Sequence, residues 1–201
     1  MTFIHGIFTL KREKKQHFFL LSVLFVGLVT EVLSVIFECL IIHMKVLYSI
    51  SFIIYLSIWL VIITQVDELQ SLRKIILSGF ITFGFANLFF IEQSNLNHLT
   101  FIVGALIYIS LFLYFSYHQL NRENLSYFTQ NEYLLLFTPV IFFFGFSFMF
   151  GFRDLEISNA IIYQNISLYT FIGYFVNLIY YSLANLYIYR ERKLINRHHE
   201  H

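Results

Sequence analysis

The stretch FFLLSVLFVGLVTEVLSVIF, residues 18–37, decides the fold because it carries one charged residue in twenty positions. A helix that crosses the bilayer core needs about 20 mostly apolar residues. The uncharged run ends at Thr30 and is too short to cross, whereas Glu38 can lie at the membrane boundary. Any spanning helix in this region therefore contains Glu31, and the stretch predicts a transmembrane helix with a carboxylate inside it.

Similar apolar runs follow along the chain, and they predict an all-α bundle of six transmembrane helices. The predicted spans are Phe18–Ile42, Val46–Thr64, Ile75–Ile91, Leu99–Tyr117, Tyr133–Phe152 and Ala160–Tyr189. The last run is longer than a span requires, which indicates that it is tilted or partly outside the hydrocarbon. Residues 18–189 thus form one predicted transmembrane domain. A cytoplasmic or interfacial segment, residues 1–17, precedes it, and a cytoplasmic tail, residues 190–201, follows.

The composition supports a membrane location. Hydrophobic residues make up 58% of the chain and charged residues 12%, with a mean hydropathy of +0.71. A soluble domain carries about 25% charged residues, which it needs to cover its surface with polar groups. The basic residues form no separate face, so we expect the lipid bilayer as a partner and no nucleic acid.

The basic residues also predict the orientation, because Lys and Arg are enriched in cytoplasmic loops. With a cytoplasmic N-terminus, the outside loops hold only Lys45 and Arg153 of the 13 basic residues. The inside segments hold the others, namely Lys11, Arg12, Lys14, Lys15, Arg73, Lys74, Arg122, Arg190, Arg192, Lys193 and Arg197. Both termini are therefore predicted to be cytoplasmic, and we expect a multi-pass protein of a bacterial inner membrane.

Glu31 belongs to a polar stripe on the first span. Gly27, Glu31, Ser34 and Glu38 follow the spacing of one helix face. An acidic side chain at the centre of a membrane helix costs about 2.5–3.5 kcal/mol on insertion scales, so such residues usually face the bundle interior. We therefore predict that this stripe faces the interior or a wet cavity, with Glu31, Ser34 and Glu38 as candidate binding residues.

The last span carries a second polar stripe, which is rich in hydroxyl groups. Its members recur at steps of four and three residues and are Tyr163, Ser167, Thr170, Tyr174, Asn177, Tyr181 and Ala184. Asn177 and Tyr181 fall at mid-depth, where they could meet Glu31 in an antiparallel pair. We predict Asn177, Tyr181 and Tyr174 as binding residues beside those of the first span.

Three interpretations of Glu31 stay open at this point. No Lys or Arg lies within a predicted span, so desolvation favours the neutral acid. The acid could hydrogen-bond Asn177 or a tyrosine and lock the bundle, anchor a ligand or ion, or take part in a proton-coupled switch.

A smaller feature concerns helix packing. Ser78, Thr82 and Ala86 recur every four residues in the third predicted span, with Asn87 beside them. Small residues let membrane helices approach closely, so this face predicts a helix–helix contact.

The sequence contains no recognisable catalytic set, and we expect no catalytic residue, metal site or cofactor. It carries no Walker A loop, GxSxG or HExxH motif, and its single cysteine, Cys39, excludes an intrachain disulfide. The favoured interpretation is a non-enzymatic module for binding, sensing or assembly, whose partner is a small amphipathic ligand or another membrane protein. The alternatives are a small proton-coupled secondary transporter and a lipid-modifying membrane enzyme.

Three short segments carry a family resemblance: Thr30-Glu31, Asn131, and Asn177-Leu-Ile-Tyr-Tyr-Ser-Leu. At these positions the chain resembles uncharacterised polytopic inner-membrane proteins of bacteria of about 200 residues, the length of this chain. The resemblance implies an all-helical membrane bundle and no established activity or cofactor. Members often begin with one further helix, and Ile4–Leu10 with the basic cluster after it is similar to the end of such a helix.

Overall fold

A computed structural model describes most of the chain. The described residues are 2–10, 14–39, 44–65, 69–92, 96–153, 155, 160–163 and 166–199, with side chains as far as residue 194 except that of Tyr163.

The described residues form an all-α helical bundle. Its α-helices are α1 Thr2–Thr9, α2 Lys15–Cys39, α3 Lys45–Ile63, α4 Gln70–Ala86, α5 His98–Asn121, α6 Asn131–Gly151 and α7 Leu168–His199. A π-helix, Asn87–Ile91, continues α4, and a 3-10 helix, Leu125–Thr129, precedes α6. Backbone groups in hydrocarbon must be hydrogen-bonded within the chain, and a helix of apolar residues meets that requirement within one segment.

Six of these helices, α2 to α7, are long and apolar enough to cross a membrane. This confirms the predicted all-α transmembrane bundle and makes the chain a multi-pass integral membrane protein. The end predicted for the first span, Ile42, lies outside the described residues.

The predicted start of the last span is wrong. Ile161–Tyr163 and Ile166–Ser167 form a short antiparallel pair of strands, β1 and β2, and α7 begins only at Leu168. The β-branched isoleucines of this segment favour extended structure. The segment 160–167 carries no charge, and an uncharged run does not distinguish a strand from a helix.

The chain separates into two compact units, which we describe individually. The first unit is Lys11–Gly104, and the second is Met1–Leu10 together with Ala105–His201.

In the first unit, α3 packs against both α2 and α4. Its buried side chains include Ile53, Leu56, Trp59 and Leu60, none of which is more than 3% exposed. The predicted small-residue face of α4 differs from its buried face. Ser78 and Thr82 are exposed, whereas Phe80, Gly84 and the following Asn87 are buried.

In the second unit, α6 and α7 form the most extensive helix pair. A Cβ atom on Gly145 of α6 would clash with the Val176 side chain of α7, so the glycine allows close approach of the two helices. Tyr108 of α5 donates a hydrogen bond of 2.8 Å to the carbonyl oxygen of Leu136. The short helix α1 packs on α7, where the Asn185 amide donates to the Thr2 hydroxyl over 2.9 Å.

Candidate functional site

The predicted polar stripe of α2 is divided between two sides of the helix. Glu31 and Glu38 are exposed, and Ser34 is buried with its hydroxyl donating to the Glu31 carbonyl oxygen over 2.8 Å. Thr30 is also buried on this helix, and its hydroxyl donates to Ser51 Oγ of α3 over 2.8 Å. Thr30 and Ser34 are four residues apart and share a face, whereas Glu31 is rotated by about 100° from Thr30. Glu31 therefore lies off the buried face of α2, and its predicted place beside a wet cavity or a ligand stays a prediction.

The predicted stripe of the last span is also divided. Tyr163 and Ser167 lie in the two short strands rather than in α7. In α7, Tyr174 and Tyr181 are exposed, and the Asn177 amide donates to the Gly173 carbonyl oxygen over 2.9 Å. The apolar and aromatic side chains that α7 buries are Val176, Tyr180, Ala184, Tyr187 and Ile188, of which Ala184 belongs to the predicted stripe. Pairing of Glu31 with Asn177 or Tyr181 would join residues of the two units and stays a prediction.

A buried polar pair, Asn131 and Glu191, lies where the N-terminus of α6 meets the C-terminal half of α7. Asn131 begins α6, and its amide donates to Glu191 Oε1 over 2.7 Å and to the Tyr187 carbonyl oxygen over 3.3 Å. Asn131 is 9% exposed and Glu191 is 5% exposed, so both polar groups are largely removed from solvent. Among the described residues, Asn131 Oδ1 has no hydrogen-bond partner. The pair fixes the N-terminus of α6 against the C-terminal half of α7.

A half-open cleft of about 600 Å³ lies beside this buried pair. Its lining residues are Thr129, Gln130, Asn131, Glu132, Tyr189, Arg190, Lys193 and Leu194. The Arg190 guanidinium donates to the Thr129 carbonyl oxygen over 2.9 Å, which holds the arginine across the cleft. Lys193 lies three residues further on α7, and residues at this spacing are neighbours on a helix surface.

The electrostatics of the cleft favour an anion. Arg190 and Lys193 provide two exposed cationic groups, and Glu132 is the one carboxylate among the lining residues. The N-terminus of α6 also faces this region, and Gln130 makes no side-chain capping hydrogen bond to it. The helix dipole stabilises negative charge at such an end. The cleft therefore places two cations and the positive end of a helix dipole around one carboxylate.

A second, apolar pocket of about 250 Å³ lies near the other end of the same helix pair. Its lining includes Phe148, Met149, Leu168 and Ile172. Leu168 and Arg190 are 22 residues apart on one helix, which separates the two sites by roughly 33 Å at 1.5 Å per residue. A single phospholipid in one leaflet does not reach both the cleft and the apolar pocket, so the two sites are separate.

Comparison of the chain with protein-family models, with curated proteins and with solved structures gave no match.

The structure also brings together polar residues that the sequence patterns did not select. Asn87, Asn97 and Thr100 are completely buried in the first unit, close to Glu92. The signal in the sequence was a run of polar residues around the connection from α4 to α5, which is also typical of an ordinary solvated loop. No group of three or more His, Cys, Asp or Glu residues suited to a metal ion occurs within the described part of the chain.

Proposed function

We propose that this integral membrane protein is a non-enzymatic binding module that holds the anionic headgroup of a lipid or similar amphipathic ligand. The observation that carries the proposal is the cleft between α6 and α7, with Arg190 and Lys193 on one side and the N-terminus of α6 on the other. Its volume of about 600 Å³ falls in the range typical of small-molecule sites.

The position of the cleft favours a lipid over a soluble anion. Arg190 and Lys193 lie near the end of the membrane-spanning segment Leu168–Leu194, the depth at which headgroups meet a transmembrane helix. Basic pockets between transmembrane helices on the cytoplasmic side bind anionic lipid headgroups. With the proposed cytoplasmic termini, the cleft faces the inner leaflet of the bacterial inner membrane.

The lining residues favour binding over catalysis. They include two cations, one carboxylate and several amide and hydroxyl groups, but neither a cysteine nor a histidine. Hydrolytic chemistry on a lipid would need a nucleophile beside a base, or a metal ion that activates water. The Asn131–Glu191 hydrogen bond is buried behind the cleft and positions its wall, which is a structural role.

The test identifies the lipid that co-purifies with the protein from a mild detergent, by native mass spectrometry. We expect the wild type to retain an anionic phospholipid, and the double variant R190Q/K193Q to lose it. The matched control, R73Q/K74Q, removes two positive charges from the start of α4, which is also predicted to be cytoplasmic. Retention of the same lipid by R190Q/K193Q would overturn the proposal.

Glu31 supports a second candidate, a small proton-coupled carrier. Its carboxylate lies within α2, which is apolar enough to span the membrane, and its side chain is exposed. An intramembrane acid of this kind marks ion or proton pathways in transporters. Proton-driven flux in proteoliposomes that is unchanged by Glu31→Gln would remove this carboxylate from any carrier mechanism.

A further inference from the structure

The apolar pocket of the second unit lies where α6 ends and α7 begins, and its volume is about 250 Å³. Its walls include Met149 of α6, Phe152 and Leu155 of the connection that follows, and Tyr169 and Ile172 of α7. Apart from the Tyr169 hydroxyl, the lining side chains carry no hydrogen-bond donor. The pocket therefore suits an apolar group.

The packing of α6 against α7 holds the walls of this pocket in place. Met149 is 4% exposed, and its methyl carbon lies 3.4 Å from where a Cβ atom on Gly173 of α7 would be. The rings of Phe148 and Phe152 pack on each other with their centroids 4.4 Å apart. Methionine side chains are flexible and polarizable, which lets the Met149 wall adapt to the shape of an apolar ligand.

The volume of the pocket favours one alkyl chain. Sites for drug-sized ligands usually enclose about 300–1,000 Å³, and this pocket is smaller. It has room for part of one chain and none for a second. A lipid with a single chain therefore fits the pocket better than a phospholipid with two.

The pocket lies at a boundary of the membrane. The span formed by α6 ends at Gly151, and the span formed by α7 begins at Leu168. Every lining residue lies within four positions of one of these two ends. The polar headgroup region begins where the hydrocarbon core ends. An alkyl chain can therefore enter from the hydrocarbon while its polar head stays at the level of the headgroups.

Arg153 gives this end of the pocket a positive charge. It directly follows Phe152, and its guanidinium interacts electrostatically with the Tyr169 hydroxyl. It is the one charged residue that the structure describes between α6 and β1, where Asp154 and Glu156 fall outside the described residues. The N-terminus of α7, which also borders the pocket, adds the positive end of a helix dipole. Both features favour an anionic head over a neutral one.

We propose that the apolar pocket binds a single-chain lipid with an anionic head, such as a long-chain fatty acid. The alkyl chain packs between Met149 and Ile172. The carboxylate accepts hydrogen bonds from the Arg153 guanidinium and the Tyr169 hydroxyl, and hydrogen bonds to an ionised group are stronger than neutral ones. This site is independent of the anion cleft, which lies roughly 33 Å away along α7.

The test is photolabelling of the full chain in nanodiscs of phosphatidylcholine. The probe is palmitic acid with a diazirine near the end of its chain, and a mildly alkaline buffer keeps its carboxylate ionised. Mass spectrometry locates the labelled residues. We expect labelling of the lining residues that saturates with probe concentration, because a defined pocket takes one chain, whereas contact with bulk lipid does not saturate.

Two variants fill the pocket with a larger side chain. Ile172→Trp and Leu155→Trp should each lower the labelling of the other lining residues by about fivefold or more, because the added ring occupies the space of the chain. The matched control is Leu178→Trp, at an exposed position of the same helix, which should keep the wild-type labelling. Leu155 is half exposed in the connection after α6, so its variant decides the outcome if Ile172→Trp does not fold.

Competition with unlabelled lipids tests the charged head. Palmitate should displace the probe at a concentration about fivefold lower than hexadecanol, which has an equal chain and a neutral head. Arg153→Gln should remove this difference between the two competitors. Lys45→Gln removes another exposed cation that is predicted outside, and it should keep the difference.

Three results would overturn the proposal. The first is labelling that does not saturate and spreads over the exposed residues of α7, which would indicate ordinary contact with bilayer lipid. The second is wild-type labelling in both Ile172→Trp and Leu155→Trp. The third is equal competition by palmitate and hexadecanol, which would show that the pocket does not select an anionic head.

Discussion

At the scale of single residues, the Asn131–Glu191 hydrogen bond joins two polar groups that lie 60 positions apart in the sequence. Both are largely buried, and the 2.7 Å distance from Asn131 Nδ2 to Glu191 Oε1 is typical of a hydrogen bond to a carboxylate. Loss of one partner leaves the other buried without its hydrogen bond, which costs more than the bond contributes when it is intact.

We therefore expect Asn131→Ala to lower the free energy of unfolding by about 1–3 kcal/mol. The measurement is reversible unfolding in mixed detergent micelles. Asn177→Ala is the control, because the Asn177 amide donates only to the Gly173 carbonyl oxygen of its own helix among the contacts described. Equal effects of the two substitutions would contradict a special role for the Asn131–Glu191 pair.

Glu31 differs from the Asn131–Glu191 pair in being exposed. Since its side chain is exposed in the structure, Glu31→Gln should change the free energy of unfolding by no more than about 0.5 kcal/mol. The same unfolding assay measures it, with Glu38→Gln as the companion at a second exposed carboxylate. A loss above 1 kcal/mol, the size expected for a removed buried hydrogen bond, would indicate that the Glu31 carboxylate has a buried partner after all.

The sequence led to Glu31 because a charge in an apolar run is visible in one dimension. It did not show which helix face would be buried, since an apolar helix in lipid has no clear polar side to distinguish the faces. The partners of Asn131 and Asn87 depend on contacts between helices, and spacing within one helix does not contain that information. In the sequence, Asn131 is notable only as part of the family resemblance.

At the scale of helices, the contact between α6 and α7 depends on Gly145. A Cβ at this position would clash with Val176 and lie within 3.4 Å of three of its side-chain atoms. Helices α6 and α7 can therefore approach each other closely at Gly145.

Gly145→Ala should lower the free energy of unfolding by about 1–3 kcal/mol, because an added methyl group overpacks the contact. The added substitution Val176→Ala should restore part of that loss, since it removes the atoms that clash. Gly151→Ala is the control, with no atom within 4 Å of the added Cβ. Additive effects of Gly145→Ala and Val176→Ala would contradict direct packing between the two positions.

Helix existence was predictable from hydropathy, because a run of about 20 apolar residues has few other stable conformations in lipid. Helix ends were less predictable. Leu168 begins α7 directly after Ser167, whose hydroxyl accepts the Thr170 N–H over 3.2 Å, and the earlier polar residues Gln164 and Asn165 carry no charge that would end a predicted span. The spacing of the small residues of α4 also did not predict which face of the helix is buried, since Ser78 and Thr82 are exposed in the structure.

At the scale of the whole molecule, the predicted orientation can be tested on the native cysteine. Cys39 is exposed at the end of α2, which the distribution of basic residues places outside. A membrane-impermeant maleimide should label Cys39 in intact cells. Ser126, exposed before α6, is predicted inside, so a Cys39→Ser/Ser126→Cys variant should react only after permeabilisation. The reverse pattern would invert the proposed topology and place the anion cleft in the outer leaflet.

We propose that the cleft beside α6 and α7 selects an anionic headgroup. The most direct measurement compares the affinity of the purified protein for an anionic and a zwitterionic phospholipid with the same acyl chains. We predict that the wild type and R73Q/K74Q prefer the anionic lipid, and that R190Q/K193Q binds both equally. Equal affinity of the wild type for the two lipids, or a preference that survives in R190Q/K193Q, would show that Arg190 and Lys193 do not select the headgroup.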